Sequence, residues 1–217
     1  MGIELFIFDW SGVISDDRNP VYEVAVKILK ENGLSSMSFQ EFFSQSKLTA
    51  YEFLKSQGLD INPQEAFLLY KKHLDEVIDA GIKPSIYPDV RETLDYLKEK
   101  DKPLAVLSSH PLDNLFKEAE EYGIKDYFGL IIGGARDKVK GLTRIVTEKF
   151  NVSPENALYA GDTIYDGRAA RDAGLKFAAI SGTEENQRGY HTKKQLESEP
   201  YDFILESLNE LMDEKFF

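Results

Sequence analysis

Short apolar runs alternate along this chain with longer stretches in which apolar residues recur every three or four positions. Residues 3–8, IELFIF, form the first run, and a run of that length and content predicts a strand buried on both faces. Residues 104–107 (LAVL), 130–132 (LII), 157–160 (ALYA) and 177–180 (FAAI) repeat it, and 202–205 suggests a short sixth strand. Between these runs the spacing is helical. One face carries Val90, Leu94 and Leu97. Another carries Leu112, Leu115, Phe116 and Ala119 and closes at Gly123. After Lys140-Gly141 come Leu142, Ile145, Val146 and Phe150; after Asp166 come Ala169, Ala170 and Ala173, up to Gly174. Leu208 and Leu211 mark a last helix. Strands alternating with helices predict an α/β fold, a Rossmann-like parallel sheet.

One stretch breaks this rhythm. Residues 16–85 contain no strand-like run. Asn19-Pro20 reads as an N-cap followed by the first helical position, with Val21, Val24, Ala25, Ile28 and Leu29 as the apolar stripe before Gly33. Phe39, Phe42 and Phe43 suggest a second helix, and residues 48–54 a third, ending near Gly58. Asn62-Pro63-Gln64-Glu65 opens a fourth that runs to about Ala80. The expected division is therefore an α/β core of residues 1–15 and 86–217 with an all-helical block, 16–85, inserted after the first strand. The aromatic stripes of that block suit a bundle core.

Composition removes several classes of function. The 217 residues carry a net charge of −12, with no basic stripe, so nucleic acid and anionic membranes are not expected partners. There is no cysteine, which excludes disulfides, thiolate metal sites and a cysteine nucleophile. No basic, apolar leader opens the chain and no run reaches membrane-spanning length, so a cytoplasmic setting is expected.

The chemistry-bearing residues gather at the ends of the apolar runs. Asp9 and Ser11 follow the first, Ser108 and Ser109 the second, Lys140 lies after the third, and Asp162 and Asp166 follow the fourth. Taken singly, Asp9 fits a turn, Ser108 a helix cap and Lys140 a solvated charge. In a parallel sheet, however, all these strand ends share one edge, where open α/β sheets bind ligands. Carboxylates, hydroxyls and one lysine suit Mg²⁺ and a phosphoryl group: oxygen ligands for the metal, a lysine and helix-start N–H groups for the phosphate.

These residues stand in four motifs: FDWSGV, AVLSSH, Lys140-Gly141 and GDTIYD. In that order and spacing the chain resembles the haloacid dehalogenase-like superfamily, and the resemblance covers nearly the whole chain. The segments IYPDVRETLDYLKEK and GYHTKKQLESEPYDFILESLNEL add to it and resemble members with a helical cap between the first two motifs, the phosphoglycolate phosphatase type. The resemblance implies a Mg²⁺-dependent phosphatase of a small phosphorylated metabolite. Asp9 would be nucleophile and metal ligand, and Asp162 the second carboxylate ligand. Asp166 would be a ligand or its support. Ser108, Ser109 and Lys140 would hold the phosphoryl group. Lys138 is the runner-up to Lys140, which is preferred because it abuts the expected helix. The inserted block would act as a lid.

One position departs from the family pattern. Most family phosphatases carry a second Asp two residues after the nucleophile, and this chain has Ser11. A serine hydroxyl is a poor acid and a poor base at neutral pH. Its backbone carbonyl can still face a metal. Members without this Asp include P-type ATPases and phosphonoacetaldehyde hydrolases, whose Asp-Trp-Ala-Gly is similar to Asp9-Trp10-Ser11-Gly12 and whose cap lysine forms a Schiff base. Lys47 and Lys55 are the cap lysines to weigh, and neither sits in a recognisable motif. A C–P bond hydrolase is thus one alternative, and a catalytically weak protein that binds a phosphorylated ligand or a partner is another.

Overall fold

A computed structural model describes residues 2–45, 49–183 and 187–217. The chain divides into two units, residues 1–16 with 86–217, and residues 17–85.

The larger unit is built on a six-stranded parallel sheet of β1 (Leu5–Phe8), β4 (Leu104–Leu107), β5 (Leu130–Ile132), β6 (Ala157–Gly161), β7 (Lys176–Ile180) and β8 (Phe203–Leu205), in the order β5-β4-β1-β6-β7-β8. A second sheet has only two short strands, β2 (Ser15–Asp16) and β3 (Ser85–Ile86). β1 lies between β4 and β6, with Phe8 opposite Val106 on one side and Ala160 on the other. From β1 the chain moves to β4 and β5 on one side. It then returns to β6, β7 and β8 on the other. The strand order therefore reverses beside β1, and such a reversal opens the crevice in which these sheets bind ligands.

β1 forms because both of its faces are covered. Phe6 and Phe8 face one core with Val90, Leu94 and Leu97 of α5 (Val90–Glu99) and Leu115 and Ala119 of α6 (Leu112–Glu121). Leu5 and Ile7 face the other core with Leu142 of α7 (Lys138–Arg144) and Ala169 and Ala170 of α8 (Ile164–Asp172). Each of these Phe, Leu, Ile and Val side chains contributes roughly 1.5–3 kcal/mol as an upper figure.

The smaller unit is helical: α1 (Arg18–Glu31), α2 (Phe39–Gln45), α3 (Ala50–Ser56) and α4 (Pro63–Asp79). Asn62 caps α4 as expected, accepting from Gln64 N and Glu65 N. The aromatic residues are core. Phe42 meets Phe43 at 4.9 Å, Phe53 at 5.0 Å and Tyr22 at 5.9 Å between ring centres. No helix among the described residues is long and apolar enough to cross a membrane.

Three boundaries differ from expectation. α1 begins after Asp17, so Asn19 is inside the helix and Pro20 is its third residue. The first-turn N–H groups have no intrahelical partner, so a proline is tolerated throughout that turn and does not fix the first position. The last expected helix is instead two 3₁₀ turns, Leu208–Met212 and Glu214–Phe216; apolar residues three apart serve either form. Finally, α7 and α8 begin before Lys140 and Asp166, not after them, which changes the site.

Candidate active site

Three carboxylates converge at the C-terminal edge of the sheet. Asp9 follows β1, and its backbone N–H donates to Ala160 O at 2.8 Å, which ties it to β6. Asp162 follows β6, and Asp166 lies in the first turn of α8. All three are buried, and one oxygen of each lies within 4.8 Å of the others. Ser108, buried just after β4, accepts from His110 N at 3.2 Å and is near enough to Asp9 to help lower its carboxyl, whereas Ser109 beside it is exposed. Ser11 is half-buried and bridges to Ser15 within the turn after Asp9.

The lysine at this edge is Lys138, which corrects the preference for Lys140. Lys138 Nζ lies 2.5 Å from Asp9 Oδ2 and 2.5 Å from Asp166 Oδ1, with only 4% of its side chain exposed. The Lys140 side chain is 85% exposed and its ammonium pairs with Asp137 at 3.0 Å. The cause is the helix start. Asp137 caps α7, its side chain accepting from Lys140 N at 3.0 Å, so Lys138 is the first helical residue and Lys140 the third. A second consequence is that Gly141 lies within α7, where a Cβ would come 2.6 Å from the Leu107 side chain; it permits close packing on β4 and does not mark a helix boundary.

Asp166 is held from both ends. Oδ2 accepts from the Thr163 N–H at 3.1 Å and hydroxyl at 2.5 Å, while the Thr163 hydroxyl in turn accepts from Asp166 N. Oδ1 takes Lys138. Tyr159, buried on β6, brings its hydroxyl to 3.1 Å from Lys138 Nζ, 3.1 Å from Leu107 O and 3.2 Å from Asp166 Oδ1. Nothing in the sequence marks Tyr159, since an aromatic in an apolar strand carries no other signal.

Asp162 is enclosed by two glycines. At Gly12 (φ +73°) and Gly189 (φ +73°) an added Cβ would stand 2.4 Å from Asp162 Oδ2, so both close approach and backbone conformation require glycine. Tyr190 N donates to the same oxygen at 2.6 Å. The loop that supplies Gly189 and Tyr190 is pinned by buried Arg188, which packs on the Tyr87 ring at 4.1 Å and donates to Asp89 at 2.5 Å and to Val13 O. Burial pushes the Asp89 carboxyl up, but Arg188, Ser207 and Leu208 N outweigh that and hold it below its usual value. A depressed folded-state pKa contributes stability above the unfolded value, about 4, and the contribution is lost as pH falls through the folded value. Asp89→Asn should therefore lower stability at pH 7 by about 3 kcal/mol, because Arg188 is left without its partner. Thermal melts from pH 7 to 3 should show the difference shrinking in acid; a constant difference would mean the pair is not its source.

The cluster carries three buried carboxylates against one buried lysine. Burial depresses a lysine, but Asp166 and Asp9 outweigh it and raise Lys138 well above its ordinary value. Asp166 is lowered because Lys138 outweighs its burial. Asp9 is raised, burial outweighing Lys138. Asp162 stands worst: burial, then Asp166 and Asp9, push it well above the usual carboxylate range. The surplus negative charge, presented by oxygen donors alone, fits a hard divalent cation.

The haloacid dehalogenase-like hydrolase profile matches residues 6–180. The chain belongs to this family. A phosphoglycolate phosphatase from Vibrio vulnificus strain YJ016 is 26% identical over 224 aligned positions, 97% of this chain and 95% of the relative. One from Escherichia coli K12 is 27% identical over 150, covering 66% of this chain and 56% of the relative. Among solved structures, a haloacid dehalogenase-like family hydrolase from Streptococcus pneumoniae superposes with a TM-score of 0.80 at 19% identity, covering 97% of both chains. CbbY from Rhodobacter sphaeroides, in complex with phosphate, gives 0.74 at 20%, covering 96% of each. Family membership makes this chain a hydrolase, and its sheet edge carries the acidic cluster of Asp9, Asp162 and Asp166.

The comparison with C–P bond hydrolases turns on Trp10 and on the two cap lysines, Lys47 and Lys55. Trp10 is fully buried in the α5–α6 core, stacked on Tyr122 at 6.0 Å. Lys55 is exposed, and its bond to the Tyr51 hydroxyl at 3.1 Å raises its pKa, the reverse of what an amine nucleophile needs. Lys47 lies outside the described residues.

Proposed function

We propose that this hydrolase is a cytoplasmic, Mg²⁺-dependent phosphatase of a small phosphorylated metabolite, working through an aspartyl-phosphate on Asp9. The observation that carries the reading is the buried group of Asp9, Asp162 and Asp166 around Lys138 at the sheet edge. Phosphoglycolate is the first ester to assay, since relatives spanning the chain bear that name. Asp9 and Asp162, with the Ser11 carbonyl, would hold the ion, and Asp166 completes the carboxylate set. When bound, Mg²⁺ supplies positive charge to offset that on the phosphoryl oxygens.

An Asp9 carboxylate oxygen attacks phosphorus and the bond from phosphorus to the ester oxygen breaks; an alkyl oxygen takes its proton from solvent water as it leaves, and an aryl oxygen leaves as the anion. Water then attacks phosphorus, the Asp9–phosphorus bond breaks, and inorganic phosphate departs with the Asp9 carboxylate restored. Lys138 keeps Asp9 oriented and offsets charge beside it. The Ser108 hydroxyl, near Asp9, would donate to a phosphoryl oxygen.

Ser11 should make both halves slow. General acid–base help is worth about 10²- to 10⁴-fold. Ser11→Asp is therefore expected to raise turnover of alkyl phosphates through both steps, and of aryl phosphates, which leave without a proton, through hydrolysis of the phospho-Asp9. Wild type should show a pre-steady-state burst on aryl phosphates, since hydrolysis of the phospho-Asp9 lacks its base. Fast alkyl-phosphate turnover with no burst, and a slower Ser11→Asp, would mean that another residue moves the proton. The reading as a whole is tested by screening phosphate monoesters with and without Mg²⁺. Release of no phosphate from any ester would leave the weak binding protein as the better account.

A further inference from the structure

We propose that Glu118 is a positioning residue of this catalytic edge: a single buried carboxylate that locks the turn carrying the nucleophile to the loop that follows β4. The inference rests on the phosphatase reading, with Asp9 as nucleophile, and goes beyond it, since Glu118 stands on α6 and takes no part in that mechanism.

Glu118 Oε2 accepts from the Trp10 indole Nε1 at 2.6 Å and from the Ser15 hydroxyl at 3.0 Å. Trp10 directly follows Asp9, and Ser15 closes the same turn: Ile14 N and Ser15 N both donate to Trp10 O at 2.9 Å. Both ends of the nucleophile turn are thus bonded to one oxygen. The other oxygen, Oε1, lies 2.9 Å from His110 Nε2. His110 belongs to the opposite loop. Its backbone N–H donates to Ser108 Oγ at 3.2 Å, and Ser108 is near enough to Asp9 to help lower its carboxyl. A line of bonds thus runs from the turn that carries Asp9 through Trp10, Glu118 and His110 to Ser108.

This line of bonds is built into the interior. Trp10, Ser15, His110 and Glu118 are each no more than 5% exposed. Tyr122 supports it from the side, stacked on Trp10 with its hydroxyl 3.0 Å from Ser15 Oγ. An ionised carboxylate is the one side chain of this length that can accept from an indole, a hydroxyl and an imidazole together. A neutral amide cannot, because one of its two ends donates. The line of bonds sets the spacing between Asp9 and Ser108, the nucleophile and a phosphoryl-oxygen donor, and in such geometries about 1 Å is worth about 10² in rate.

The test compares Glu118→Gln with wild type on p-nitrophenyl phosphate and Mg²⁺, together with emission from Trp10, the chain's single tryptophan. The expected result is kcat lower by about 10- to 100-fold with KM nearly unchanged, and an altered Trp10 emission. A residue that only supports the fold would lower the melting temperature and leave kcat of the folded enzyme alone; that result overturns the proposal. If Glu118→Gln does not fold, Trp10→Phe, His110→Asn and their combination decide. Coupling through Glu118 predicts that the two effects on kcat are not additive, and additivity overturns it. If wild type hydrolyses no ester, the phosphatase reading fails by itself. The clamp is then judged without turnover, by Trp10 emission in His110→Asn: a changed spectrum supports it and an unchanged one overturns it.

Discussion

Asp9→Asn should abolish phosphate release, by about 10⁴-fold or more, while the protein stays folded. The amide keeps the volume of the carboxylate but offers no anionic oxygen to phosphorus. Stability should move the other way. Burial raises the Asp9 carboxyl, so at neutral pH the folded state is penalised for keeping it ionised. The substitution also removes one of two neighbouring charges that push Asp162 up, and leaves Lys138 with Asp166 at 2.5 Å. In chelator, then, Asp9→Asn should melt at or above the wild-type temperature. On adding Mg²⁺ the wild type should gain stability and the variant less, because a ligand is missing. Differential scanning fluorimetry with EDTA and with Mg²⁺, beside a phosphate-release assay, reads all of this. Activity within tenfold of wild type would remove Asp9 as nucleophile.

The second large effect separates two lysines only two positions apart. Lys138→Met removes the one ammonium among three buried carboxylates. Breaking a buried pair from one side costs about 3–5 kcal/mol, and here two pairs are broken at once. Turnover should fall about 10²- to 10³-fold, as when a fixed electrostatic donor is removed from a reacting centre. Mg²⁺ should restore part of the lost stability by supplying charge to the same oxygens. Lys140→Met removes an exposed ammonium that meets only Asp137, and should change stability by no more than about 0.5 kcal/mol. Urea melts and steady-state kinetics on both variants decide. A damaged Lys140→Met beside an intact Lys138→Met would reverse the assignment.

At that pair of lysines, residue order and tertiary structure part company. Lys140-Gly141 looked like the threshold of a helix because glycine so often borders one. Asp137, a good N-cap residue, was the better signal, and it puts Lys138 first in the helix. Thr163 misled in the same way: as the cap of α8 it draws Asp166 into the first turn, where its carboxyl is bonded before any ligand arrives. Trp10 carries the likeness to the C–P hydrolase motif, and its contact with Glu118, 108 positions away, has no sign in the sequence. Glu118 and His110 carried no sign of a shared role, being eight residues apart on a loop and a helix.

The strands, their alternation with helices and the side of the sheet on which Asp9, Ser108 and Asp162 stand could all be read from residue order. These follow from local periodicity and from one general rule, that parallel strands end on the same side. Which lysine reaches Asp9, how Asp162 is enclosed by Gly12 and Gly189, and that one carboxylate ties Trp10 to His110 could not. Those are contacts between segments up to 177 positions apart, such as the pair of glycines on Asp162. They depend on helix starts and side-chain directions, where a shift of two residues turns a buried ammonium into a solvated one.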